Sequence, residues 1–141
     1  MKLSSLKVDA SAIEEGQWVG NIPEMGDLEV RVRGLNNARY RRLQTKLIDA
    51  VPRAKRQGGR MDPDEQDRIT ATCLNATVLL DWRGLEGEDG QPLPYSKDLA
   101  STLLSEAEFR RFREGVIWAA SQVGEEQAEA ERADEGNSPT A

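Results

Sequence analysis

The sequence predicts a small α+β protein that is mostly helical, with a small N-terminal antiparallel sheet packed on a bundle of about four helices. Residues 28–33 alternate apolar and charged side chains, which is the period of a half-buried strand. Later stretches begin with helix N-cap residues and carry apolar side chains at helical spacing. The 141 residues, of which 38% are hydrophobic, allow one domain with a modest core, which we place at residues 1–123.

Residues 1–34 are expected to form the sheet. Residues 17–22 are a plausible partner for the strand at 28–33, because the residues between them have a turn composition. Residues 3–8 are expected to add a third strand. Because two strands alone are marginally stable in water, the sheet must pack on the helices.

Residues 36–123 are expected to be helical. The first helix should begin at Asn36 or Asn37, which are both good N-cap residues, and should end at Pro52. Its apolar side chains form one stripe, so the opposite face should be solvated.

The second helix should begin at Asp62, with Pro63 in its first position and Glu65 completing a capping box. Its apolar side chains cover more than half of the circumference, which predicts a central helix. They are Ile69, Cys73, Leu74, Ala76, Val78 and Leu80. Cys73 is therefore interpreted as a small buried hydrophobic residue and not as a nucleophile.

Residues 81–96 are expected to form an irregular hairpin-like loop, because they combine the turn signal Asp89-Gly90 with two prolines. Ser96 should cap a short helix over 97–104. Ser105 and Glu108 should form the capping box of the last helix. That helix should point six apolar side chains inward, namely Phe109, Phe112, Val116, Ile117, Ala120 and Val123.

The composition argues against an enzyme. The chain has no histidine and one cysteine, which excludes His-based triads, His-ligated metals, Cys-clustered zinc sites and an internal disulfide. The acidic loop at 86–90 lacks the EF-hand spacing. We therefore expect no catalytic residue, no metal and no cofactor. No apolar run has the length of a signal peptide or a membrane span.

Charge is distributed unevenly along the chain. Residues 31–60 contain ten Lys or Arg and one acid, although the whole chain has a net charge of −6. These cations either form the solvated outer face of the first helix or bind an anionic partner. An acidic protein fits such a patch, whereas nucleic acid is the weaker alternative because no aromatic residues are interleaved on that face. Residues 124–141 contain six acids and no large apolar side chain, which predicts a disordered acidic tail.

Two stretches of the sequence resemble the small tail assembly chaperones of long-tailed bacteriophages. Residues 18–42 combine a strand pair with an Asn-x-x-Tyr-Arg helix start, which here is the segment 37–41. Residues 80–96 are similar to that family's loop, in which Trp-Lys/Arg-Gly-hydrophobic is followed by Asp-Gly-x-Pro-hydrophobic-Pro-aromatic-Ser/Thr. In that family the loop is followed by a Leu-rich helix and an aromatic-bearing helix, and with these helices the two stretches cover most of residues 17–120.

The resemblance implies a protein of the host cytoplasm that binds the tape-measure protein and helps to recruit tail-tube subunits. Such a chaperone leaves before the tail is complete and is not expected in the mature virion. Self-association is left open. The alternatives are a structural tail or neck component that stays in the virion, or a small nucleic-acid-binding regulator that uses residues 31–60.

We expect the partner to be contacted by aromatic and cationic residues of the two motifs. These residues are Arg39, Tyr40, Arg42, Trp82, Arg83, Pro94 and Tyr95. Aromatic and arginine side chains are favoured anchors of protein interfaces. For Tyr40 and Trp82, packing in the core is the stronger interpretation.

Overall fold

Five α-helices and two small antiparallel sheets form the fold of residues 1–125, which a computed structural model describes apart from the side chain of Gln57. The helices are α1 (Ala10–Glu15), α2 (Ala38–Asp49), α3 (Pro63–Cys73), α4 (Lys97–Ser105) and α5 (Arg110–Gln122). The strands are β1 (Gln17–Val19), β2 (Glu29–Val32), β3 (Arg56–Gln57), β4 (Arg60–Met61) and β5 (Leu79–Arg83). The predicted α+β class with mostly helical content is confirmed.

The main sheet has the order β1-β2-β5, and both pairings are antiparallel. Val30 lies opposite both Val19 on β1 and Trp82 on β5, and all three side chains are buried against the helices. Burial of this one face gives the sheet the support that isolated strands lack. The predicted pairing of the strands at 17–22 and 28–33 is therefore confirmed.

The prediction of a third strand at residues 3–8 is wrong. The segment Leu3–Leu6 forms a 3-10 turn with exposed leucines, and α1 follows it within the part of the chain expected to be strands. The third strand is β5, which pairs with β2 and shows a register shift between Arg31 and Val32. Local pattern did not indicate this strand, because its stability comes from pairing with residues about fifty positions away.

The second helix is shorter than predicted. It begins at Pro63 with Asp62 as its N-cap, as expected, but it ends at Cys73 and continues as one π-helical turn, Leu74–Val78, that leads into β5. Leu80 therefore lies on a strand and not on a helical stripe, and Ala76 is exposed. Cys73 is fully buried, as predicted.

Neither predicted capping box forms. The backbone N–H of Asp62 donates to the carbonyl of Lys55 at 2.8 Å, so the Glu65 carboxylate is free to pair with Lys55 and Arg68 instead. The hydroxyl of Ser105 donates to the carbonyl of Ser101 at 2.6 Å, within α4.

A 3-10 turn, Ala107–Phe109, separates the last two helices. Because of this turn, α5 begins at Arg110 and Phe109 is exposed. The prediction that Phe109 points inward is therefore wrong. Ser96 caps α4 as predicted, through a 3.1 Å bond from the N–H of Leu99.

One hydrophobic core joins the sheet to the helices. Its fully buried members include Val32 on β2, Leu74 in the π-helical turn, Leu104 on α4 and Val116 on α5. Within residues 1–125, no helix is long and apolar enough to cross a membrane. The predicted acidic tail, residues 124–141, lies outside the described residues apart from its first two positions.

Candidate partner-binding surface

The seven predicted contact residues lie in two separate regions of the molecule. Asn37, at the start of α2, donates from Nδ2 to the carbonyl of Thr77 at 3.3 Å. Trp82 lies five residues farther along the chain, and the extended part between them, from Leu79 to Trp82, alone spans about 10 Å. The structure therefore places Arg39, Tyr40 and Arg42 at one end of β5 and the aromatic loop residues at the other.

The outward side of α2 carries a cationic surface, which we call the arginine face. It consists of Arg39, Arg41, Arg42 and Lys46, whose side chains are all exposed. Arg39, Arg42 and Lys46 follow one another at intervals of three and four residues and so line one row of the helix. None of the salt bridges found within residues 1–125 involves these four side chains.

The beginning of α2 is held in place by two neighbouring side chains. Asn37 is fully buried, and its Oδ1 accepts from the N–H of Tyr40 at 2.9 Å. The Glu14 carboxylate of α1 accepts from the N–H of Ala38 at 3.0 and 3.1 Å. A carboxylate is favourable at a helix N-terminus, where the unpaired N–H groups concentrate positive charge.

Cations crowd the junction between β2 and α2. Arg33 Nε and Arg39 Nη1 both donate to the carbonyl of Glu14, each at 3.1 Å. Burial lowers the pKa of Arg33, and repulsion from Arg39 and Arg31 adds to that effect. Arg31, Arg33 and Arg39 therefore lie close enough together at this junction to repel one another.

Tyr40 belongs to the core and not to the arginine face. Its side chain is buried, and burial is the main cause of its raised pKa. The stronger interpretation of this residue, as a packing residue, agrees with that position.

Trp82 is the centre of a buried aromatic cluster. Its ring makes edge-on contacts with Tyr95, at 5.0 Å between centroids, and with Phe112, at 5.8 Å. Its Nε1–H donates to the carbonyl of Leu93 at 2.8 Å, and this bond ties the loop to the core. Burial also raises the pKa of the half-buried Tyr95. Trp82 therefore packs inside the protein, whereas Leu93 and Pro94 remain at the surface.

Arg83 is exposed but already has protein partners. Its guanidinium makes two bonds to the Glu29 carboxylate, at 3.0 and 2.9 Å, and lies 4.1 Å from the centre of the Trp18 ring. The hydrogen bond from Arg83 is the largest cause of the lowered pKa of Glu29. A partner that binds Arg83 must compete with these contacts.

The structure adds one exposed apolar segment that sequence analysis assigned to the sheet. Met1, Leu3, Leu6 and Val8 are all exposed, and the least exposed of them, Val8, shows 45% of its area. The sequence did contain a signal against a strand here, because the apolar residues of 3–8 do not alternate regularly with polar ones. The segment leads into α1, whose Glu14 contacts the arginine face.

Neither metal binding nor a reactive thiol is indicated within residues 1–125. These residues contain no group of three or more His, Cys, Asp or Glu side chains placed to hold a metal ion. Burial raises the pKa of the Cys73 thiol, which keeps it protonated and poorly reactive.

Comparison with known proteins places the chain in a prophage context. A family model described as YdaY prophage protein matches residues 35–137, well over half of the 141 residues. The match includes α2 with its arginine face and the loop that carries Trp82 and Tyr95. No curated protein and no solved structure matches the chain. The chain therefore belongs to the YdaY prophage protein family.

Proposed function

We propose that this prophage protein is a non-enzymatic tail assembly chaperone. In this proposal it binds the tape-measure protein in the host cytoplasm, helps to recruit tail-tube subunits and leaves before the virion is complete. The resemblance of residues 18–42 and 80–96 to such chaperones motivates the proposal, and a prophage origin is compatible with it. The structural observation that carries it is the exposed arginine face.

A tape-measure protein is a long helical chain with apolar stripes, so its chaperone needs a surface that binds amphipathic helices. The arginine face supplies charge for an acidic flank of such a helix. The exposed apolar side chains of residues 1–8 supply hydrophobic contact area on a segment that continues into α1. The apolar sides of α2 to α5 are used by the core and are not free for a partner.

Co-expression with the tape-measure protein of the same prophage tests this proposal. We expect the wild-type chain to raise the soluble fraction of that protein and to elute with it on gel filtration. The double variant Arg42→Gln/Lys46→Gln should weaken the complex, because it removes two adjacent charges of the arginine face. A tape-measure protein that stays insoluble, with no complex formed, would refute the chaperone proposal.

The matched control is Arg110→Gln/Arg111→Gln, which removes the same charge from the exposed start of α5. Arg110 makes only a long contact, 3.6 Å, to the exposed Glu114, so the control should fold normally. Equal weakening by both double variants would show that net charge matters and that the arginine face does not.

Two experiments separate the chaperone from the two other candidate functions. Mass spectrometry of purified particles separates a chaperone, which should be absent, from a structural tail or neck protein, which should be present in stoichiometric amounts. The exposed cations of the arginine face also fit a nucleic-acid-binding regulator. Binding of duplex DNA that weakens steeply with salt, and that Arg42→Gln/Lys46→Gln reduces, would favour the regulator.

A further inference from the structure

The described chain ends beside the arginine face. The carbonyl of Gly124, just after α5, accepts from the N–H of Asp9 at 3.1 Å. Asp9 caps α1 by accepting from the N–H of Ala12 at 3.1 Å, and Glu14 near the other end of α1 contacts Arg39. Because α1 has six residues, its length of about 9 Å is the main separation between the end of α5 and the arginine face.

The residues that follow carry the opposite charge. Positions 126–141, which we call the acidic segment, contain five acids and one Arg. The arginine face carries four cations, and none of them forms an ion pair with another part of residues 1–125. Sixteen residues reach at most about 50 Å when extended, so the whole face lies within their range.

We propose that the acidic segment binds the arginine face of the same chain and thereby occupies the surface offered to an acidic partner. Attachment beside the face gives the segment an effective concentration of the order of millimolar, which favours its own chain over a second copy. The contact is one between exposed charges, so each pair contributes little and salt screens it. A partner with a denser acidic surface therefore displaces the segment.

The competition between the acidic segment and an acidic partner rests on the proposed function. The contact between the acidic segment and the arginine face does not. If the acidic segment covers the arginine face, removing its charge should strengthen binding of an acidic partner. The corresponding variant changes the five acids to their amides. Its substitutions are Glu126→Gln, Glu129→Gln, Glu131→Gln, Asp134→Asn and Glu135→Gln.

A spin label in the full chain tests the contact directly. Ala133→Cys places a nitroxide among the acids, and the fully buried Cys73 should stay unlabelled, which the wild-type chain checks. In an ¹⁵N-labelled sample we expect the amide signals of Arg42 and Lys46 to broaden at about 0.01 M salt and to recover at about 1 M, where the screening length falls about tenfold. The five-amide variant and Arg42→Gln/Lys46→Gln should both abolish the broadening, whereas Arg110→Gln/Arg111→Gln should leave it unchanged.

Three results would overturn the contact. They are broadening that salt does not change, broadening that persists in Arg42→Gln/Lys46→Gln, and equal broadening when the label is on a second copy without ¹⁵N. The last result would assign the contact to self-association. Failure of the label experiment leaves tape-measure binding intact, and failure of co-purification leaves the label experiment intact, so the two proposals are separately testable.

Discussion

At the scale of single residues, Asn37 shows how one side chain connects three parts of the fold. It is fully buried and accepts from the N–H of Tyr40 at 2.9 Å, which caps α2. Its Nδ2 donates to Gly34 at 2.7 Å and to Thr77 at 3.3 Å, which ties the helix to the segment before β5. The Asn of the Asn-x-x-Tyr-Arg motif therefore has a structural role in this chain, which is to cap α2 and to attach it to the neighbouring segments.

Replacing Asn37 with Ala should destabilise the protein by about 2 kcal/mol, because the cap and two bonds to buried carbonyls are lost. Urea unfolding followed by circular dichroism measures the effect. Asn36→Ala is the matched control: Asn36 is exposed, and its replacement should change stability by less than about 0.5 kcal/mol. Equal losses in the two variants would contradict the assignment of Asn37 as the cap.

Gly84, directly after β5, is required for two separate reasons. Its φ of +84° is a conformation that side chains rarely adopt, and a Cβ there would lie 2.6 Å from the carbonyl oxygen of Asp27. Gly90 has a similar φ of +78° but open space around it. Comparing the same substitution at Gly84 and at Gly90 therefore separates the cost of backbone strain from the cost of steric overlap.

Gly90→Ala should cost about 1–2 kcal/mol, which is the left-handed strain alone. Gly84→Ala should cost clearly more in the same thermal or urea unfolding measurement, because the backbone of the turn at Asp27 must also move. If Gly84→Ala lost no more stability than Gly90→Ala, that result would contradict the close approach of Gly84 to Asp27.

At the scale of elements, the loop that follows β5 is shaped by its attachment to the core. Leu93 is central to this attachment, since its N–H donates to Leu85 at 2.8 Å and its carbonyl accepts from Trp82 at 2.8 Å. Tyr95 then packs edge-on against the Trp82 ring. These contacts fix the loop without a regular ladder, as the two prolines predict.

Trp82→Phe should keep most of the aromatic packing but lose the hydrogen bond to Leu93. We expect a loss of about 1–2 kcal/mol, whereas Trp82→Ala should lose about 3–5 kcal/mol. Chemical unfolding gives both values, and hydrogen exchange at the loop N–H of Leu93 should rise in Trp82→Phe. Unchanged exchange there would show that the indole N–H does not hold the loop.

Sequence reasoning was successful where the signal is local. The caps at Asp62 and Ser96, the alternation in β2 and the concentration of charge in α2 are properties of a few neighbouring residues. It was wrong where pairing over a long distance decides the structure, as for β5, whose residues were assigned to a helix end and a loop. The candidate contacts were combined into one site because sequence gives no distance between α2 and Trp82. Their separation follows from the strand that lies between them.

At the scale of the whole molecule, we expect two carboxylates that are held in ion pairs, Glu65 and Glu29, to make stability depend on pH. Glu65 on α3 is buried and binds Arg68 on its own helix and Lys55, at 3.2 Å, from the preceding turn. The bonds from Arg68 are the largest cause of its lowered pKa; burial opposes them, and Lys55 adds to them. Glu29 is shifted in the same direction by Arg83, between β2 and β5.

A carboxyl whose pKa is lower in the folded than in the unfolded chain stabilises the protein above its unfolded pKa of about 4.3. That stabilisation is lost as pH falls through the lower, folded value. We therefore expect the free energy of unfolding to decline below about pH 4.5, and Glu65→Gln to make that decline shallower because the proton uptake on unfolding is removed. Urea titrations between about pH 3 and 7 measure the slope. A Glu65→Gln slope equal to that of the wild type would exclude Glu65 as a source of the acid sensitivity.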